Sequence, residues 1–199
     1  MKNGMKMVAG GAVLAGILAS CGSVGGTGDG SASLYVSDVK TEYRTADGTY
    51  VGCDNVSNTS TPSQTTVATA FTLAGSISSV NVNLKGNSKA DYDNNYNATF
   101  YPGDISNAGA QSYKATFVAD SSLPNSTGLL PQSVHPQGIV VNPNTATYVK
   151  LVTTDSPQGS FRSVVTVTST TGQVISGTAN RSIPVYSGCN VISTTTETL

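Results

Sequence analysis

The chain reads as an all-β protein, and three observations point there. Apolar and polar residues alternate in short runs, clearest where Val80, Val82 and Leu84 interleave with Asn81, Asn83 and Lys85. Turns rich in Gly, Pro and Asn separate these runs. Between residues 33 and 199 there is no sustained helical stripe with caps. Roughly ten short strands of this kind suggest a single β-sandwich of immunoglobulin-like or Greek-key type. The buried Trp of antibody-type domains is absent, since the chain has no Trp.

Taken in order, residues 41–45 and 49–53 flank Asp47-Gly48, a hairpin signal because both residues tolerate positive φ. The run through Val80, Val82 and Leu84 has the period of a half-buried strand. Tyr96, Ala98 and Phe100 repeat the pattern, as do Tyr113, Ala115 and Phe117. Residues 121–138 hold Pro124, Pro131 and Pro136 and read as a long crossover loop. Val149 and Leu151 mark another strand, and Phe161, Val165 and Val167 a longer one that turns at Thr171-Gly172 into residues 174–178. Ile183 and Val185 close the set, with Pro184 making that strand an edge or a bulge.

The N-terminus carries a different signal. Lys2 and Lys6 form a positive n-region ahead of an apolar stretch, residues 7–18, interrupted only by glycines. As a helix those residues reach only ~18 Å, short of a ~30 Å hydrocarbon core. That excludes a durable transmembrane span and fits a removable signal. The stretch closes on Leu18-Ala19-Ser20-Cys21, followed by Gly22 and a run of Gly, Ser and Thr.

This arrangement resembles the lipobox of bacterial lipoproteins, in which the cysteine is lipidated and becomes the first residue of the mature chain. The resemblance implies that residues 1–20 are a signal peptide and that Cys21 carries a diacylglycerol. It also implies a membrane partner held through that lipid. Each buried methylene contributes ~0.8 kcal/mol, so two or more acyl chains anchor firmly. Residues 21–32 then read as a flexible tether, and residues 33–199 as the β-domain. Position 22 is Gly and not the Asp associated with inner-membrane retention, so the outer membrane or cell surface is favoured.

Two further cysteines, Cys53 and Cys189, are expected to form a disulfide in the oxidising compartment this implies. Their contexts are alike: Tyr50-Val51-Gly52-Cys53-Asp54-Asn55 and Tyr186-Ser187-Gly188-Cys189-Asn190-Val191. They read as two strand ends, brought side by side and bridged. A redox or metal pair with His135, the only histidine, is disfavoured by the absence of any CxxC.

Composition narrows the function. Once Lys2 and Lys6 leave with the signal, eight Lys and Arg face eleven Asp and Glu, a formal charge of about −3 with no basic cluster. Nucleic acid is therefore not an expected partner. With 26 Ser and 26 Thr, the surface is polar through hydroxyls more than through charge. No Gly-x-Ser-x-Gly elbow, P-loop or dinucleotide fingerprint occurs, so an enzyme is not expected.

One polar constellation remains, Asp91-Tyr92-Asp93-Asn94-Asn95-Tyr96-Asn97. Oxygen donors at Asp91, Asp93 and Asn95 resemble the start of a calcium loop, but Tyr96 takes the glycine position and Pro102 the position of the bidentate Glu. An EF-hand is excluded. A looser calcium site with help from Asp104 is the one cofactor candidate, and a polar turn is the plain alternative. Tyr92, Tyr96 and Tyr101 are candidates for a sugar-stacking platform.

Three readings follow. The first is a non-enzymatic structural or accessory envelope lipoprotein that packs against other envelope or surface-layer proteins. Its layout is similar to that of surface-layer-associated lipoproteins. The second is a ligand-binding module for glycan or calcium. The third is a hydrolase using Asp91 and Asp93 as a carboxylate pair.

Overall fold

Among the described residues, alternation between core and solvent recurs along the longer runs, and these pair as strands. The structure, a computed structural model, describes residues 25–26, 33–87, 97–120, 139–141 and 147–199. Among the described residues the chain is all-β, with sixteen strands and no helix. The first eight are β1 (Gly25–Gly26), β2 (Ser33–Thr41), β3 (Tyr43–Arg44), β4 (Tyr50–Cys53), β5 (Val56–Ser57), β6 (Gln64–Ala74), β7 (Ile77–Gly86) and β8 (Asn97–Phe100). They are followed by β9 (Ser106–Gly109), β10 (Ser112–Asp120), β11 (Ile139–Val141) and β12 (Tyr148–Thr154). The last four are β13 (Pro157–Ser169), β14 (Val174–Thr178), β15 (Ile183–Tyr186) and β16 (Cys189–Thr198). Several of the strands beyond the expected ten are only two to four residues long, too short for periodicity to reveal. β1 falls inside the expected tether and pairs with the start of β2.

The strands form two sheets. The smaller runs β1-β2-β6-β10-β11, with β9 also on β10. The larger runs β5-β16-β12-β3-β4-β15-β13-β7-β8, with β14 also on β13. Most pairs are antiparallel; β3/β12, β4/β15 and β5/β16 are short parallel contacts of two residue pairs each.

One apolar core lies between the sheets. Val36, Phe71 and Phe117 of the small sheet and Val82, Phe100 and Phe161 of the large one are all buried within it. Burying a side chain of this size contributes ~1.5–3 kcal/mol. The Phe100 and Phe117 rings meet across the interface at 5.9 Å. At the same level Thr69 and Ser163, both fully buried, share a 2.9 Å hydroxyl hydrogen bond between β6 and β13. Further contacts join the two sheets. Lys40 of β2 sits 5.5 Å over the Tyr50 ring of β4, and Lys114 Nζ of β10 donates to the Leu199 carbonyl at 2.6 Å.

Several expectations are altered by local backbone geometry. The Asp47-Gly48 hairpin forms, but only Gly48 has positive φ, at 90°. Gly48 N–H bonds the Thr45 carbonyl at 3.0 Å and Thr45 N–H bonds the Thr49 carbonyl at 2.9 Å. That is a type I turn closed by a left-handed glycine, not a two-residue primed turn. The Thr171-Gly172 turn repeats it: Gly172 has φ 85°, with Gly172 N–H on Ser169 and Ser169 N–H on Gln173.

In β12, Val149 is buried but Leu151 is only half-buried, and Val152 takes the buried position. A register shift between Leu151 and Val152 moves the strand by one residue, which swaps faces. Pro184 does not mark an edge. β15 lies inside the large sheet between β13 and β4, with a register shift on β13 between Pro157 and Gly159. The ladder to β4 begins only at Val185, so the donor that Pro184 lacks is not needed there.

Candidate functional site

The residues singled out in the sequence separate into two groups. Cys21, Asp91, Tyr92, Asp93, Asn95, Tyr96 and His135 lie outside the described residues. Tyr101 is described and is 61% exposed. Its N–H donates to Asp104 Oδ2 at 3.0 Å, while Asp104 N–H returns to the Tyr101 carbonyl at 2.8 Å. Asp104 therefore closes its own turn.

Cys53 and Cys189 are disulfide-bonded, with Cα atoms 5.9 Å apart across 136 residues of sequence. The two similar segments do lie side by side, running parallel. Tyr186 pairs with Cys53 and Cys189 with Val56, and the backbone bonds Asp54 N–H to Tyr186 O (2.9 Å) and Cys189 N–H to Asn55 O (2.8 Å) connect them. Cys53 ends a strand as expected, whereas Cys189 opens one. The bridge sits in a second, small core with Tyr43, Val51, Val56 and Val152.

The most developed polar site was not singled out in the sequence. Glu42 lies between β2 and β3, at the point where the chain crosses from the small sheet to the large one. Its N–H donates to Thr66 O at 3.0 Å in β6, and its carbonyl accepts Lys150 N–H at 2.7 Å in β12. The side chain repeats the connection. Oε1 accepts the Thr66 N–H (2.7 Å) and hydroxyl (2.8 Å), and Oε2 accepts Lys150 Nζ (2.7 Å). The Glu42 side chain is 6% exposed and that of Lys150 25%. Three donors therefore reach this buried carboxylate, two at Oε1 and one at Oε2.

This pair forms one side of a cleft of about 340 Å³, whose other lining residues include Gln64, Thr116, Tyr148 and Thr194. Tyr43 anchors the region from the core side. Its hydroxyl donates to Gln64 O at 3.0 Å, and Lys150 Nζ lies 5.4 Å from its ring centre. Burial, and then the Glu42 charge, push the Tyr43 hydroxyl pKa far above the ordinary tyrosine value. The sequence held one clue: Glu42 and Glu197 are the only glutamates. Both are ion-paired, Glu197 with Arg44 at 2.6 Å, and Glu197 also accepts the Tyr50 hydroxyl at 2.6 Å. The Tyr50 hydrogen bond, followed by Arg44, lowers the Glu197 pKa, while burial and then Glu197 raise that of Tyr50.

Comparison with protein-family models, curated proteins and solved structures finds no match to this chain.

Proposed function

We propose that the chain is a non-enzymatic cell-envelope lipoprotein, acylated at Cys21, whose 33–199 domain is a structural or accessory interaction module at the cell surface. The observation that carries this reading is the Cys53–Cys189 disulfide. Structural bridges belong to oxidising compartments, and the Leu18-Ala19-Ser20-Cys21 motif supplies the route there and the anchor. The shared core between two sheets supports reading the domain as a β-sandwich, with a Greek-key path as the finer proposal. The outer membrane or surface is the proposed location, and other envelope or surface-layer proteins the proposed partners.

The test is fractionation of a Cys21→Ser variant. It is expected to leave the membrane fraction while keeping the thermal midpoint of the parent domain. Recovery of that variant in membranes after a high-salt wash overturns the lipid anchor. Detergent extraction of the native protein, followed by native mass measurement, tests the accessory role: a stoichiometric complex supports it and a lone acylated monomer counts against it.

A second reading, a ligand-binding module, is favoured by one observation, the hydroxyl-lined cleft beside Glu42 and Lys150.

A further inference from the structure

We propose that the cleft between Gln64, Thr116, Tyr148 and Thr194 is a binding site for a neutral oligosaccharide. The proposal deepens the ligand-binding reading but rests on the cleft alone, and is independent of lipid anchoring.

Charge decides the first step. Lys150 and Glu42 are the charged side chains lining the cleft, and they neutralise each other at 2.7 Å. Oε1 of Glu42 is engaged twice by Thr66, through its N–H and its hydroxyl. An anionic ligand finds no spare cation there, and a metal finds no spare carboxylate. Truncating either partner to favour a charged ligand would leave the other charge, buried for Glu42 and partly buried for Lys150, unpaired. The resident pair therefore disfavours charged ligands on both sides.

Hydrogen bonding decides the second. What the walls offer is hydroxyls and an amide, groups that both donate and accept. The hydroxyls of Thr116, Thr147 and Thr194 line the cleft with no side-chain partner among the described residues. Gln64 gives its Nε2 to Asp120 Oδ2 at 2.9 Å, which fixes the amide. A sugar hydroxyl also donates and accepts, so each finds a matching partner on these walls. An apolar ligand does not, because it would strip water from hydroxyls without replacing their hydrogen bonds.

Shape decides the third. Sugar rings present a flat C–H face as well as hydroxyls, and Tyr148, 52% exposed beside this polar wall, offers a ring for that face. The volume, about 340 Å³, lies within the ~300–1,000 Å³ range of small-ligand sites. Two sheets hold the walls: Gln64 and Thr116 stand on adjacent strands of the small one, Tyr148 and Thr194 on adjacent strands of the large one. Glu42 and Lys150 tie those sheets together along one side of the cleft, so its walls are held in place before binding, which lowers the ordering cost.

The experiment is titration of the purified full chain, in a detergent that carries no sugar, with cellohexaose, laminarihexaose, mannohexaose and chitohexaose, and with oligogalacturonate as an anionic probe. At least one neutral hexasaccharide is expected to bind saturably, with affinity insensitive to salt. Tyr148→Ala and Thr116→Val are each expected to weaken that binding about tenfold, which corresponds to ~1.4 kcal/mol, with the thermal midpoint unmoved. Failure of all four neutral probes at millimolar concentration overturns the proposal. So does binding that Tyr148→Ala leaves intact, or a preference for oligogalacturonate that falls with salt. None of these outcomes bears on the Cys21→Ser fractionation, so the two readings fail separately.

Discussion

Lys150 holds Glu42 twice, once from its backbone N–H to the Glu42 carbonyl and once from Nζ to Oε2, each at 2.7 Å. Glu42 in turn holds Thr66 twice, through its own N–H and through Oε1. A single residue at the crossover between sheets thus bonds β6 on one side and β12 on the other. Backbone bonds alone would set the spacing. The side chain adds a charge that is favourable only while Lys150 stays in place.

This makes a coupling prediction. Breaking a buried pair from one side costs ~3–5 kcal/mol, and the partial exposure of Lys150 lowers that to about 2 kcal/mol for Lys150→Met. Glu42→Gln is expected to cost a similar amount, because Lys150 is left without its counter-charge. The double variant is expected to lose less than the sum, with a coupling energy of roughly 1–2 kcal/mol. Urea midpoints of the four proteins measure it, and strict additivity would show that the pair is not an energetic unit.

The bridge between Cys53 and Cys189 closes a 136-residue separation. In the chain-entropy model that is worth ~5 kcal/mol, and measured losses for native bridges run ~2–5 kcal/mol. Replacing both cysteines by serine is expected to lower stability within that range, and thiol reductant is expected to destabilise the parent but not the variant. Equal denaturant midpoints for reduced and oxidised parent would contradict it. The neighbouring parallel contacts, Tyr186 with Cys53 and Cys189 with Val56, are the elements expected to loosen first.

Much of this fold was legible because half-buried strands write themselves into sequence. Val80, Val82 and Leu84 are all fully buried, and Ala98, Phe100, Ala115 and Phe117 follow the same rule. The rule fails where backbone geometry intervenes. A bulge carries no composition of its own, so Leu151 and Val152 could not be assigned to faces in advance. Gly48 marked a turn, but a primed turn and a type I turn with a left-handed glycine use the same residue. The disulfide was legible by count, because only two cysteines remain besides Cys21. The Glu42–Lys150 pair was not, because its partners stand 108 residues apart and neither periodicity nor spacing connects them.

A third prediction concerns the turn that joins β9 to β10. Ala110 and Gln111 occupy its two central positions with φ 47° and 63°, where L residues with a Cβ are disfavoured. Asn-Gly is the preferred pair for such a turn. Ala110→Asn with Gln111→Gly is therefore expected to raise stability by about 0.5–1 kcal/mol. At Gly48 and Gly172, whose φ values are 90° and 85°, substitution by Ala runs the other way and is expected to cost ~1 kcal/mol each. Thermal midpoints decide both, and a stabilising Gly48→Ala would refute the left-handed assignment.

The pH response follows from which groups are shifted and in which direction. Glu197 lies below its ordinary 4.5, held chiefly by the Tyr50 hydroxyl, and Asp47 below 3.8, held chiefly by the Thr45 hydroxyl and then by the Thr49 N–H. A depressed carboxylate adds stability above its unfolded value and loses it as pH falls through the folded one. Asp47 is exposed and Glu197 partly so, and solvent screens both, so the acid limb below pH 4.5 is expected to be shallow. The alkaline limb differs. Tyr43 and Tyr50 are raised above 10.0, by burial first and then by Glu42 and Glu197 respectively, so their neutral forms are favoured in the fold. That stability is complete below pH 10.0 and is lost as pH climbs towards the raised values. Tyr43 is fully buried and is expected to dominate. Tyr43→Phe should cost about 1 kcal/mol at neutral pH, since Gln64 O loses its donor, yet flatten the loss above pH 10. An alkaline limb as steep in Tyr43→Phe as in the parent would assign it to other groups.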